Sequence, residues 1–495
     1  MRTYPTCTVV SLHGAACSLS GFSVFVLLAF SLSAQTPKER GVYLTYAEAQ
    51  PIVSALDEIL PAELKSKTAS ELAAAWPTWI SHRDAEIRAR LAQGDEDSLV
   101  NFLLFGTAYT KQPRISAKQI AEIGQASAAG ATTRSELSVP LVIGLQARID
   151  DLIRALAAPG NNERLLFARS LLIAQKGHNL STGTGRAKLK EYLLASVARV
   201  LNEQGNYARA LGAARSLGDT SEEFAERSRL YRERGLSSDT LLLPNFAVEE
   251  SLKAMRARGL IAADSVKRLA IVGPGLDFTD KQEGYDFYPQ QTIQPLAIID
   301  TLLRLGLART QALQVTTFDL SPRVNHHLEL AQQRARRGQP YMIQLPRDPQ
   351  ARWKPEAVRY WEHFGDQIGT PAPPVAIPAN AGALKIRAVN IRPSIAARIT
   401  PIDLNIVLQH LDLRPGERFD LMIATNIFIY YDNFEQSLAM ANVERMLRPG
   451  GLMLSNNALL ELPFSRMHSI DYLTVVYSDR PDDGDHIVWY QRASD

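Results

Sequence analysis

The stretch Arg268-Leu-Ala-Ile-Val272-Gly273-Pro-Gly275-Leu-Asp277 decides the fold. A short apolar run closed by Gly-x-Gly is the pattern of a buried strand whose C-terminal end turns sharply. Similar runs follow at Leu313 to Phe318, Ile386 to Ile391, Phe419 to Thr425 and Leu452 to Ser455, separated by helix-patterned segments. Strands alternating with helices predict an α/β unit, a Rossmann-like, mostly parallel sheet covered on both faces. Tyr472 to Ser478 and His486 to Tyr490 flank Arg480-Pro-Asp-Asp-Gly-Asp485, which predicts an antiparallel hairpin closing one edge of the sheet.

Upstream the periodicity changes. From Gly41 to Gly259 apolar residues recur at helical spacing, as in Leu145-Gln-Ala-Arg-Ile-Asp-Asp-Leu-Ile-Arg-Ala-Leu156, with breaks at Pro159-Gly160 and Gly235-Leu-Ser-Ser238. This predicts an all-α domain over 35–259 preceding the α/β domain over 260–495. A Pro-rich insert at 339–383 holds eight of the 27 prolines, together with Trp353, Tyr360, Trp361 and Phe364. Such a stiff segment suits either a lid or side cap, or a plain surface loop.

The ends of the predicted strands carry the candidate site. Gly273 and Gly275 would let backbone approach a nucleotide or nucleoside closely, although Gly-x-Gly is also an ordinary turn. Val315-Thr-Thr-Phe-Asp319 ends the second strand in a carboxylate just before Ser321-Pro322, a helix start. An acid there can accept hydrogen bonds from both hydroxyls of a ribose, or simply cap the helix. Asp403, in Thr400-Pro-Ile-Asp403, could accept from an adenine amino group, and the same four residues also fit a capping box at a helix start. The fourth strand runs through Thr425 into Asn426-Ile-Phe-Ile-Tyr430-Tyr431-Asp432, polar and aromatic groups that would face a substrate or pack into the core. Asp432 is expected to cap a helix from Asn433 to Leu447. The adjacent His326 and His327 are expected to be solvated side chains, since a metal pair on a helix needs one turn between its ligands.

The ordered set of Gly273-Pro-Gly275, Asp319, Phe419-Asp420-Leu-Met-Ile-Ala-Thr425-Asn426 and Leu447-Arg-Pro-Gly-Gly451 resembles the class I S-adenosylmethionine-dependent methyltransferases. The stretch Asn426 to Asp432 looks most like the chemotaxis-receptor type, which methylates carboxylates. The resemblance covers rather less than half of the chain. It implies S-adenosylmethionine as cofactor, with Gly273 and Gly275 along the methionine moiety, Asp319 on the ribose, Asp403 on the adenine, and Asp277 and Thr425 beside them. Asn426 and Tyr430 would face the methyl acceptor and are the expected catalytic pair. Two positions depart from the family pattern. Ile271 stands where an acidic residue is usual, and Asp277 where a third glycine is usual; Asp277 or Asp286 could substitute for the missing acid.

Composition sets outer limits. The 495 residues are 46% hydrophobic and carry a formal charge of +2 from 106 charged side chains, 54 basic and 52 acidic. That balance gives no broad positive field for nucleic acid. The start of the chain, with Phe22-Ser-Val-Phe-Val-Leu-Leu-Ala-Phe30 ending in small residues, resembles a secretory signal over 1–34, or a thin uncleaved anchor. Export or a periplasmic location is therefore expected, with the cytosolic face of a membrane as the alternative. Both cysteines, Cys7 and Cys17, lie in that segment, so cysteine chemistry is not expected of the remainder. Two function classes follow: methyl transfer to an acceptor of unknown kind, or an exported non-catalytic binding module on the same fold. His-Glu-x-x-His and Gly-x-Ser-x-Gly do not occur, which disfavours metalloprotease and serine-hydrolase chemistry, and no metal is expected.

Overall fold

The computed structural model describes residues 41–115, 119, 138–216, 231, 234–278, 284–480 and 483–494; the apolar N-terminal segment lies outside them. Twelve strands are described. The central sheet is built from β2 (Arg268–Val272), β3 (Gln314–Asp319), β7 (Ile399–Asp403), β9 (Phe419–Ala424), β10 (Leu447–Ser455), β11 (Met467–Val476) and β12 (Gly484–Arg492). Their order is β11-β12-β10-β9-β2-β3-β7. The five strands from β10 to β7 pair in parallel, and β12 lies antiparallel between β10 and β11. The chain therefore enters at the middle, steps outward through β3 and β7, and returns to the other side of β2 at β9. That reversal between β2 and β9 is the topological switch point, outside whose carboxyl edge open α/β sheets bind ligands. The α/β part is Rossmann-like.

Burial on both faces explains the unbroken apolar runs. Leu269 and Ile271 of β2, with Leu421 and Ile423 of β9, pack into one core, while Ala270, Val272, Met422 and Ala424 pack into the other. The first core is closed by α6 (Leu243–Ala257) and α7 (Gln294–Arg304), and α8 (Pro322–Arg336) continues the same face. α11 (Asn433–Met446) closes the second, and Asp432 caps it as expected, in a capping box with Glu435.

Two expectations are corrected. Ile386 to Ile391 belongs to β6 (Lys385–Ile391), which lies between β4 (Tyr341–Arg347) and β5 (Gly369–Ala372) in a separate three-stranded antiparallel sheet. The third parallel strand is instead β7, formed by the Ile399 to Asp403 residues that resemble a helix start. Thr400 caps nothing, and Pro401 is tolerated because β7 is an edge strand paired only with β3. Of the readings open for the Pro-rich insert, the plain surface loop is the one that the packing overturns. The insert forms β4, α9 (Pro355–His363) and β5, with Tyr360, Trp361 and Phe364 in the first core and Trp361 Nε1 donating to Leu345 O at 3.1 Å. A short α10 (Pro393–Ala396) leads on to β7.

The helical region is not a domain apart. β1 (Val42–Tyr43) pairs with β8 (Gln409–His410), and α1 (Tyr46–Ala55) packs on α11. α2 (Ala69–Phe105), about 55 Å long at 1.5 Å per residue, begins in the sheet's second core. There Trp76 Nε1 donates to Leu44 O at 2.7 Å and Trp79 meets Phe434. The far half of α2, with α3 (Ser138–Ala157), α4 (Glu163–Arg169) and α5 (Gly183–Ser216), forms a third core that also receives Phe278 from just beyond the glycine loop.

Candidate functional site

A crevice of about 270 Å³ opens at the carboxyl edge of β2, β3 and β9, bordered by Gly273, Gly275, Asp319, Thr425, Asn426 and Tyr430. Strand ends converge there because the parallel strands stop together while the loops after them diverge. Both glycines have left-handed backbone, φ +65° and +60°, which side-chain-bearing residues rarely adopt. Gly273 N donates to Phe318 O at 2.8 Å, tying the loop to β3. Protein atoms occupy the space that the missing side chains leave. A Cβ on Gly273 would lie 2.2 Å from Ile427 Cδ1, and one on Gly275 would lie 2.9 Å from Ser238 O. The second contact comes from a strap over 235–241 that runs along the glycine loop, with Leu276 N donating to Ser238 O and Thr240 N to Leu276 O.

Asp319 sits at the end of β3, part-buried on the crevice wall. Burial pushes its carboxyl up to about 6, against the pull of the Ser321 and Gly275 amides and of the Arg323 charge. Oδ1 accepts from Ser321 N at 2.8 Å, which leaves carboxylate lone pairs for a ligand. Thr425 is buried beside it and accepts, through Oγ1, from Gln294 Nε2 at 2.9 Å. Gln294 Oε1, also buried at the crevice, has no partner. An unpaired buried acceptor carries a desolvation cost that a ligand donor would relieve.

Asn426 holds φ +59°, a conformation that Asn tolerates better than most residues. Its N–H donates to Asn456 Oδ1 at 2.7 Å, and Asn456 Nδ2 donates back to its side chain. Tyr430 closes a short turn, Phe428–Tyr430, with its ring edge-on to Tyr231 at 5.5 Å and its carbonyl accepting from Arg90 Nη1. Its neighbour Tyr431 is core.

Asp277 and Asp403 do not border the crevice. Asp403 stands opposite Asp319 in register but pairs with Arg88 Nη1 of α2 at 2.8 Å. Leu404 and Ile406 border the crevice in its stead. Asp277 is buried and accepts from Tyr288 OH at 2.7 Å and Gln291 Nε2 at 2.8 Å. Asp286 points the opposite way, accepting from Thr107 Oγ1 and from the Thr107 and Ala108 amides. Both carboxylates brace the loop after the glycines. So does buried Arg164 of α4, whose guanidinium donates to the carbonyls of Asp277, Phe278, Tyr285 and Tyr288.

Sequence reasoning missed Gln294 and the whole helical wall, where Leu91, Asp97 and Asn101 of α2 join Tyr231, Arg234 and Asp239. The wall reaches the sheet because α2 and the strap cross at two glycines. A Cβ on Gly94 would lie 1.8 Å from Leu236 O, and one on Gly235 would lie 2.2 Å from Gly94 N. Isolated glycines in a helical pattern give no sign of such a crossing. His327 is part-buried instead of solvated. Its Nε2 lies 2.8 Å from Tyr341 OH, and burial with nearby arginines lowers its pKa to about 4. Among the described residues no cluster of metal-ligating side chains occurs.

No family model matches the sequence, and no curated protein matches it. Among solved structures, the chain is similar to the N-methyltransferase NodS from Bradyrhizobium japonicum WM9 at 10% identity and a TM-score of 0.24, covering 50% of this chain and 98% of that one. It is similar to TrmN from Thermus thermophilus at 12% identity and a TM-score of 0.24, covering 50% and 52%. The glycopeptide N-methyltransferase MtfA, complexed with S-adenosylmethionine, matches at 12% identity and a TM-score of 0.20, covering 51% and 79%. At these values the likeness carries no weight for ligand or activity.

Proposed function

We propose that the protein binds S-adenosylmethionine in the crevice and transfers its methyl group to an acceptor entering beside Tyr430. The observation that carries this is Asp319, a part-buried carboxylate at the end of the second parallel strand, facing a crevice at the switch point. The wall is chemically matched to a nucleoside with an amino-acid tail. Asp319 would take the ribose hydroxyls, Leu404 and Ile406 offer apolar surface to a flat base, and the unpaired Gln294 Oε1 would accept from an ammonium group. Adenine recognition by Asp403 drops out of the proposal, because that carboxylate is engaged with Arg88.

Bound S-adenosylmethionine would supply an electrophilic methyl group whose carrier leaves uncharged. The protein's own task is then to hold donor and acceptor in line and to exclude water. Ile427 and the 235–241 strap close the crevice around the glycine loop, and Asn426 and Tyr430 border its acceptor side. A carboxylate is the acceptor class that the Asn426 to Asp432 resemblance suggests. We also propose that residues 1–34 act as an export signal or anchor, which cell fractionation tests; among the described residues no helix is long and apolar enough to cross a membrane.

Calorimetric titration of the purified protein tests the cofactor. Binding of S-adenosylmethionine in the micromolar range that Asp319→Ala removes supports the proposal, and no heat up to about 1 mM ligand overturns it in favour of a non-catalytic module. Transfer of labelled methyl to a base-labile ester would identify a carboxylate acceptor, and a base-stable product a different one.

A further inference from the structure

One side chain of α2 assembles the acceptor side of the crevice. Arg90 donates from Nη1 to Tyr430 O at 3.0 Å, and from Nη2 to Tyr231 O at 3.2 Å and Arg234 O at 3.1 Å. Leu236 N donates back to Arg90 O at 3.1 Å. A single guanidinium thereby pins the turn after β9 to the chain that enters the strap, and Tyr231 and Arg234 are held beside Tyr430. The Arg234 guanidinium lies over the Tyr231 ring, 5.7 Å from its centroid, and that ring meets Tyr430 edge-on at 5.5 Å. All three residues border the crevice.

Among the described residues that border the crevice, Arg234 alone carries a positive charge. Two of the acids there are committed to other partners. Asp97, whose carboxyl feels the Arg234 charge, accepts from Arg199 Nη2 at 2.7 Å. Asp239 accepts from Ser98 Oγ at 2.7 Å and lies 3.7 Å from Arg323 Nη2. Among the described residues the Arg234 guanidinium has no hydrogen bond or ion pair, only the Tyr231 ring. A planar, forked donor beside aromatic rings suits a carboxylate carried on a flat ring. The fork takes both carboxylate oxygens, and the tyrosines pack against the arene. One guanidinium balances one negative charge, which favours a carboxylate over a phosphate group carrying nearly two. Resting on the methyl-transfer reading of the crevice, we propose that the acceptor is a small aromatic carboxylic acid, its carboxylate on Arg234 and its ring along Tyr231 and Tyr430. The helical region is then the part of the protein that selects the acceptor, while the sheet edge holds the cofactor.

Benzoate, the neutral benzamide and the non-aromatic cyclohexanecarboxylate serve as probes, titrated calorimetrically into the full chain with and without saturating S-adenosylhomocysteine. Benzoate is expected to bind below about 1 mM, benzamide about tenfold more weakly and cyclohexanecarboxylate about threefold more weakly. Arg234→Gln is expected to weaken benzoate about tenfold and to leave benzamide and S-adenosylhomocysteine affinities unchanged. Its melting temperature should stay within about 2 °C of wild type, since the guanidinium has no internal hydrogen bond to lose. Equal affinity for benzoate and either other probe, unchanged benzoate affinity in Arg234→Gln, or no binding of benzoate overturns the proposal. So does a fall in S-adenosylhomocysteine affinity in that variant, which would assign Arg234 to the cofactor's own carboxylate. Benzoate binding without S-adenosylhomocysteine binding removes methyl transfer and leaves an aromatic-acid site. Cofactor binding without benzoate binding removes the acceptor assignment alone.

Discussion

Asp319→Asn offers a test in which stability and binding should move in opposite directions. Burial raises the carboxyl from 3.8 to about 6. A carboxyl group raised on folding makes the native state less stable once it ionises, so the penalty is absent below pH 3.8, grows between 3.8 and about 6, and is complete above. At 1.36 kcal/mol per unit, the penalty at pH 8 reaches about 3 kcal/mol as an upper bound. Asn removes the charge, and its side-chain oxygen can still accept from Ser321 N, so the variant should unfold at higher urea concentration at pH 8 and lose that advantage by pH 4. Binding should respond inversely, because ribose hydroxyls need the ionised acceptor. With a pKa near 6 about one tenth of the group is ionised at pH 5, so wild-type affinity for S-adenosylmethionine should fall about tenfold between pH 8 and pH 5. In Asp319→Asn the affinity should be weaker by at least about tenfold at pH 8 and flat with pH. Urea denaturation and calorimetry across this pH range measure both. A wild-type affinity that does not change between pH 8 and pH 5, or an Asn variant that binds as tightly as wild type, refutes a ribose-binding role for Asp319.

Three further outcomes are expected. Arg164→Met should cost about 3 to 5 kcal/mol in urea denaturation, because four buried carbonyls of the post-glycine loop lose their donor. Gly273→Ala should cost about 1 to 3 kcal/mol, part from φ +65° and part from Ile427. Adding Ile427→Ala should recover only the steric part, so full recovery would show that the backbone is unstrained. For Glu249, burial alone would raise the carboxyl, but Arg304 and Lys253 outweigh it and hold the pKa below its usual 4.5. That stabilisation is present above about 4.5 and lost as pH falls through the folded value. The stability gap between wild type and Glu249→Gln should accordingly narrow between pH 7 and pH 4, and a constant gap would contradict the pairing.

Much of the α/β half could be seen in local pattern. β2 spans the expected residues, β3 and β9 differ by one residue at their ends, and Asp432 caps α11. Burial on both faces leaves only one way to place a run such as Leu269-Ala-Ile-Val272. Position within a sheet is another matter. Ile386 to Ile391 and Ile399 to Asp403 are both apolar and short, and only long-range pairing assigns the first to the small sheet and the second to the edge beside β3. The same limit applied to side-chain direction. Asp277, Asp319 and Asp403 all end strands or loops at one edge, yet their environments turn them to three different tasks.

The sequence by itself determined the sheet-and-helix alternation, the glycine turn after β2 and the acid at the end of β3, because these depend on periodicity and on backbone conformations that few residues adopt. Only the tertiary structure decided which carboxylate faces the crevice, that α2 and the 235–241 strap wall it, and that Arg90 holds Tyr231 and Arg234 beside Tyr430. These are contacts between segments far apart in the chain, set by how packed elements cross, and neighbouring residues carry no record of them.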